Sequence, residues 1–574
     1  MHFEFDKLVK FKDMPYVRPS IDETIRTMNE LTERFKEAKN AEEQIAIFDE
    51  FDELSMRFET MNTLASIRNS IDMNDKFYET EDEFFNENGP KVALAENKFN
   101  RVLLESKFRD DLVAELGQQL FDILECRSKV ISEDVLDLMA EENKLCTAYE
   151  KVIASAQIPF EGEVYTLSQL NPKTLVSDRE ERIKAVDARE GFFKEKEAEI
   201  DDIYDKLVKI RTEIAHKLGF KNFVELAYLR LGRTDYNAEM VKSYREQVKN
   251  DLVPLVNELM EKQRDRIGIS KEDFRFFDKD INFATGNPKP QGAPDEIIEK
   301  AKKMYDELSP ETSKFFRLLC EYELMDILST KGKRGGGYMT MLPTYGVPFL
   351  FANFNGTQHD VEVMTHEAGH CFQGYMSRDT RCNQYYNPTL EACEIHSMSM
   401  EFLTWPWAES FFGKDTEKFK YAHLSGALKF VPYGVTVDAF QHFVYENPDA
   451  SIEERKEAWR KIEKDFTPWK NYEGYEHLEK GAWWHRQSHI ITSPMYYIDY
   501  TLAQICALQY WIRANKNRDE AWRSYLALCK QGGSKSFLGL LKDAKLRIPF
   551  EDSCVKEVTE KCKEYLDKVD DKAL

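Results

Sequence analysis

His366-Glu367-Ala368-Gly369-His370 holds two histidines four residues apart, with a glutamate directly after the first. On a helix, positions four apart share a face, so His366 and His370 can grip a single ion. Glu367 projects between them toward that ion without having to bind it. Two neutral imidazoles, an open position for water and a carboxylate to take the water's proton are what zinc-assisted hydrolysis requires. A solvated helix face is the competing reading. Only 11 of the 574 residues are histidine, however, so this spacing is uncommon by accident.

A third protein ligand is expected downstream. Asn387-Pro388-Thr389 starts a helix through Phe402, and Glu391, Glu394, Met398 and Glu401 fall on one of its faces. Carboxylates on an otherwise apolar helix are costly to bury unless they share a metal or a proton with a partner. A solvated acidic stripe is the alternative. Cys371 and Cys393 lie near these motifs in the chain but are not counted among the ligands.

The elements that must position these groups are legible. Phe349 to Thr357 is aromatic and apolar and stops at Asn-Gly, as a strand does. Asp360 is expected to cap the next helix, with Glu362 in its first turn and Val361, Met364, Thr365 and Ala368 on its buried face. Tyr338 to Pro343 reads as a second strand, so a small sheet is expected beside the metal helix, with an edge able to pair with an extended peptide. The preceding Gly332-Lys333-Arg334-Gly335-Gly336-Gly337 lacks the GK[ST] ending of a phosphate loop. Its glycines would instead let a substrate chain approach closely.

A second informative stretch holds Trp483, Trp484, His485, His489, Tyr496, Tyr497 and Tyr500. The tryptophans read as core or pocket wall. The histidine and tyrosines can donate hydrogen bonds, which amide hydrolysis needs at the developing oxyanion.

HEAGH followed by EIHSMSME resembles the oligoendopeptidase F branch of the thimet oligopeptidase family of zinc peptidases, and the Pz-peptidases in particular. The resemblance is strongest from about Arg334 to Tyr500. It implies one Zn2+ held by His366, His370 and Glu394, with Glu401 orienting a ligand and Glu367 as general base. Glu391 stays open as an alternative ligand. The resemblance also maps His489, Tyr497 and Tyr500 onto the groups that hold the tetrahedral intermediate, with Tyr496 and His485 as alternatives. The implied fold is mostly α, with two helical lobes around a deep substrate channel and a small β-sheet next to the HExxH helix. The lobes are placed at residues 1–195 and 196–574, and the implied substrates are short unstructured peptides.

At 574 residues, with 42% hydrophobic and 32% charged residues, the chain is expected to be globular and to form more than one lobe. The net charge of −23 and pI near 5.2 argue against nucleic acid as a main partner. The ten cysteines form no CxxC pair and read as reduced thiols of a cytoplasmic protein. The N-terminal MHFEFDKLVKFKDMPYVRPS has no uninterrupted apolar core for a signal peptide, and no stretch is long and apolar enough to span a membrane. From Ser20 to about Lys107 the spacing predicts long antiparallel helices, interrupted at Asn88-Gly89-Pro90. A charged helix is expected to end near Asp205, and residues 282 to 295 to form a loop. Glu213/His216 supplies a second ExxH, and paired with Glu367/His370 it would suggest a di-iron bundle. That reading leaves His366 unexplained. A helical scaffold that binds peptide without cutting it is the other rival. His423 and His442 receive no role, and the oligomeric state is left open.

Overall fold

The computed structural model describes residues 8–574; the first seven residues of the stretch read for a signal peptide lie outside them. Capping side chains and apolar spacing set the helix limits. Helix α1 (Ile21–Glu37) starts where Ser20 Oγ accepts from Glu23 N, and α2 (Ala41–Ile71) where Asn40 Oδ1 accepts from Glu43 N at 2.8 Å. In α3 (Lys76–Leu104), Asp75 accepts from the amides of Phe77 and Tyr78. Met28, Leu31, Phe35, Phe48, Phe51, Phe99 and Leu103 form one core among the three helices. Phe51 stacks on Phe99 with centroids 3.8 Å apart.

Helix α3 runs straight through Asn88-Gly89-Pro90, where a break is expected. A proline inside a helix costs about 3 kcal/mol. Phe85, Val92, Ala95, Phe99 and Leu103 are all buried along α3, and each large apolar side chain contributes about 1.5–3 kcal/mol. Asn88 Nδ2 also donates to Phe84 O at 2.9 Å. Packing outweighs the local signal.

Glu161 and Gly162 form a hairpin turn between β1 (Ile158–Phe160) and β2 (Glu163–Tyr165). Both turn residues have positive φ, 51° and 86°. Helix α4 (Arg179–Lys217), capped by Asp178, continues 12 residues past Asp205. The lobe boundary expected at 195/196 lies inside it.

Strands β3 (Met325–Leu328), β4 (Tyr338–Leu342) and β5 (Val347–Phe354) form a sheet of order β3-β5-β4. The central β5 is parallel to β3 and antiparallel to β4, with Tyr338 opposite Phe351 and Leu342 opposite Val347. Burial on both faces explains its unbroken apolar run. The remaining elements that matter here are α5 (His359–Ser377), α6 (Leu390–Leu403), α7 (Thr416–Glu446), the short α8 (Ser488–Thr492), α9 (Ile498–Lys516) and α10 (Arg518–Gln531).

The chain forms two compact units that interleave in sequence. One comprises Met1–Ser128, Lys289–Gly413 and Arg513–Leu546, and holds α1 to α3, the three-stranded sheet, α5 and α6. The other comprises Lys129–Pro288, Lys414–Ile512 and Arg547–Leu574, and holds α4, α7, α8 and most of α9. Among the described residues no helix is long and apolar enough to cross a membrane. All ten cysteines are free, and none is fully exposed.

Candidate active site

Helix α5 starts one residue before the expected cap. Asp360 lies in its first turn, and its carboxylate reaches back to accept from Asn355 N at 2.8 Å and Gly356 N at 2.7 Å. These bonds tie the end of β5 to the start of α5. Val361, Met364, Thr365 and Ala368 are buried as their spacing predicts. His366 and His370 therefore project together, with ring centroids 5.0 Å apart.

Helix α6 packs closely against α5 at Gly369. A Cβ there would lie 2.7 Å from Ser397 Cα and 2.8 Å from His396 O, so only glycine permits this approach. The contact brings Glu394 Oε2 to 3.3 Å from His366 Nε2 and 3.4 Å from His370 Nε2. Among the described residues these three donors form the group able to hold a metal. With zinc bonds of about 2.0–2.1 Å, tetrahedral ligand atoms stand about 3.3 Å apart. The donor set fits such an ion in both spacing and chemistry. Ser397 Oγ donates to Glu394 Oε2 at 3.0 Å, and Glu401 Oε1 lies 2.7 Å from His366 Nδ1. Glu391 is buried but does not belong to this donor group, and neither do Cys371 and Cys393.

The electrostatics suit a cation. Burial alone would raise the Glu394 pKa, but His370 and His366 outweigh it and hold the carboxyl well below the usual range. The Glu367 carboxyl is pushed up, chiefly by burial. Its Oε1 faces the glycine-rich stretch: a Cβ on Gly337 would lie 3.2 Å from it. That stretch is pinned from below. Lys333 buries its ammonium among the Asp326 carboxylate, Leu328 O at 2.8 Å and Ala352 O at 2.7 Å. Asn353 Nδ2 donates to Arg334 O at 2.9 Å and Gly336 O at 2.8 Å. Sequence reasoning missed this anchoring, since a lysine between glycines carries no sign of facing inward.

The second cluster lies in the other unit. His489 stands 5.0 Å from Tyr497 and 5.8 Å from Tyr500, ring centre to ring centre, and the two tyrosines are 5.4 Å apart. Tyr496 joins them at 6.0 Å from His489, so proximity alone does not choose between Tyr496 and Tyr497. Gly434 of α7 makes room for Thr501, whose Cγ2 would lie 2.3 Å from a Cβ there. His489 Nδ1 lies 2.9 Å from Gln487 Nε2, and the Tyr433 hydroxyl donates to Gln487 Oε1 at 2.8 Å. His485 is engaged elsewhere, buried with Nε2 2.8 Å from Asp201 Oδ1. Trp484 packs on Tyr204, with centroids 4.7 Å apart. His216 is exposed near the end of α4 and bonds Lys221 O, and His442 pairs with Tyr228.

Comparison with known proteins gives the family of the chain. Residues 11–131 match the peptidase M3 N-terminal domain and residues 174–560 match peptidase family M3. The oligoendopeptidase F homolog of Borreliella burgdorferi is 22% identical over 570 residues, covering 91% of each chain. The structure of Pz peptidase A with an inhibitor is 52% identical, covers 98% of this chain and 100% of that one, and superposes with a TM-score of 0.94. Oligoendopeptidase-F from Enterococcus faecium, at 15% identity, shares the fold with a TM-score of 0.63 over 96% of this chain and 98% of that one. By motif, by mostly helical fold and by these matches, the chain is a peptidase of family M3, in its oligoendopeptidase F and Pz-peptidase branch.

Proposed function

We propose that this peptidase is a zinc-dependent endopeptidase that cuts internal bonds of short unstructured peptides in the cytoplasm. The observation that carries the reading is the convergence of His366, His370 and Glu394 at ligand spacing beside the buried Glu367 carboxylate. His366, His370 and Glu394 would hold one Zn2+ per chain. When bound, the ion polarises the scissile carbonyl and makes a water acidic enough to attack. Glu367 takes the attacking water's proton on a carboxylate oxygen and passes it to the leaving amine. Glu401 accepts from His366 Nδ1–H, leaving the Nε2 lone pair toward the metal position. His489, Tyr497 and Tyr500 supply N–H and O–H donors to the oxygen that gains charge. Ten free thiols are consistent with a reducing compartment.

Glu367→Gln tests the assignment. Zinc content stays at one ion per chain by metal analysis, while kcat falls by about 10³-fold. A variant within tenfold of the parent enzyme would remove Glu367 from the proton-transfer role.

A further inference from the structure

We propose that Gln487, oriented by Tyr433, acts as a positioning residue that fixes the tautomer of His489, placing its single proton on Nε2. A neutral imidazole carries one donor and one acceptor nitrogen, and the partner of one decides the role of the other. Gln487 Nε2 lies 2.9 Å from His489 Nδ1. An amide N–H at that position makes Nδ1 the acceptor and leaves Nε2–H as the donor.

The amide could in principle be turned over, and Tyr433 decides against it. Its hydroxyl lies 2.8 Å from Gln487 Oε1. Turned over, the amide would present NH2 to the phenol. The hydroxyl proton would then have no acceptor within hydrogen-bond distance among the described residues. Trp483 acts on the same phenol oxygen from longer range, and its indole N–H can only donate. Burial pushes the Tyr433 hydroxyl well above its ordinary pKa, so it remains a donor. The order Tyr433 O–H to Gln487 Oε1, then Gln487 Nε2–H to His489 Nδ1, follows.

The chain holds Gln487 in place. Its N–H donates to Trp484 O at 2.9 Å, and its carbonyl accepts from Ile490 N at 3.0 Å as α8 begins. The rings of Tyr496, Tyr497 and Tyr500 also face His489. The kinetic consequence rests on the proposed oxyanion role of His489; the tautomer does not.

Two readouts on the zinc-loaded enzyme keep these apart. In protein labelled with 15N-histidine, the His489 signal is identified by its loss in His489→Ala. It should show a protonated Nε2 and a bare Nδ1; a proton on Nδ1 overturns the proposal whatever the kinetics. With a fluorogenic peptide, kcat should fall by about 10²-fold in His489→Ala and about tenfold in Gln487→Leu, KM staying within about twofold. Gln487→Leu should cost nothing further in the His489→Ala background. An equal loss there would mean that Gln487 acts on turnover by another route, and would overturn the proposal.

Gln487→Glu sharpens the test, because a carboxylate at that position only accepts. It draws the neutral ring's proton to Nδ1, so Nε2–H survives only while the ring is doubly protonated. Activity of this variant should fall as pH rises through a limb the parent enzyme lacks. A parent-like pH profile contradicts the proposal. Parent-like kcat in His489→Ala would instead overturn the oxyanion role, with the tautomer decided by the spectrum.

Discussion

Glu401 touches no metal position, yet its carboxylate lies 2.7 Å from His366 Nδ1 and fixes which ring nitrogen faces Glu394. Removing such a partner typically costs 10–100-fold in metal affinity. Glu401→Ala should therefore bind zinc about 10–100-fold more weakly in competition with a chelator. Unchanged affinity would show that the bond orients nothing. Helical spacing put Glu391, Glu394 and Glu401 on one face but could not rank them; the packing of α6 on α5 brings Glu394 to both imidazoles and Glu401 to His366 Nδ1. Asp52 was passed over altogether. Its carboxyl accepts from Asn383 N, and burial raises its pKa to about 6. The folded state therefore binds more protons than the unfolded chain between pH 3.8 and about 6. Stability conferred by the protonated form is full below that window and lost as pH rises through it. Asp52→Asn removes the cost of the buried charge, about 3 kcal/mol at most. Urea unfolding should show it about 2–3 kcal/mol more stable than the parent at pH 8 and nearly equal at pH 4. A difference independent of pH would contradict this account.

The metal group depends on how closely two helices approach. Gly369 sits where any Cβ would strike the backbone of α6 at Ser397 and His396. Gly369→Ala must push the helices apart, moving Glu394 away from both imidazoles. Such overpacking costs about 1–3 kcal/mol of stability, and zinc affinity should fall with it. Titration with a zinc indicator checks this, and parent-like affinity would show that the contact is not needed. The strand-to-helix run leading to HEAGH was legible because an aromatic, apolar run stops at Asn-Gly and helical spacing of apolar residues follows. Continuation of α3 through Pro90 was not, because the core that overrides the proline comes from residues far away in sequence, Phe35 and Phe51 among them. The role of Lys333 was hidden for a similar reason. Its acceptors Asp326, Leu328 and Ala352 meet only once the sheet has formed.

At the scale of the whole chain, composition and motif reached a helical metallopeptidase, and the family matches place it in peptidase family M3. A linear division of the chain misses its architecture. The two units draw on alternating segments, and α4 passes unbroken through 195/196. Local patterning cannot reveal this, because which segments cluster is decided by contacts distant in sequence. The proposed endopeptidase activity is tested most directly by digesting a peptide pool graded in length and reading the cuts by mass spectrometry, with and without a chelator. Internal cuts confined to short peptides and abolished by chelation are the predicted result. Cuts that survive thorough removal of metal, or none from zinc-loaded protein, would contradict it.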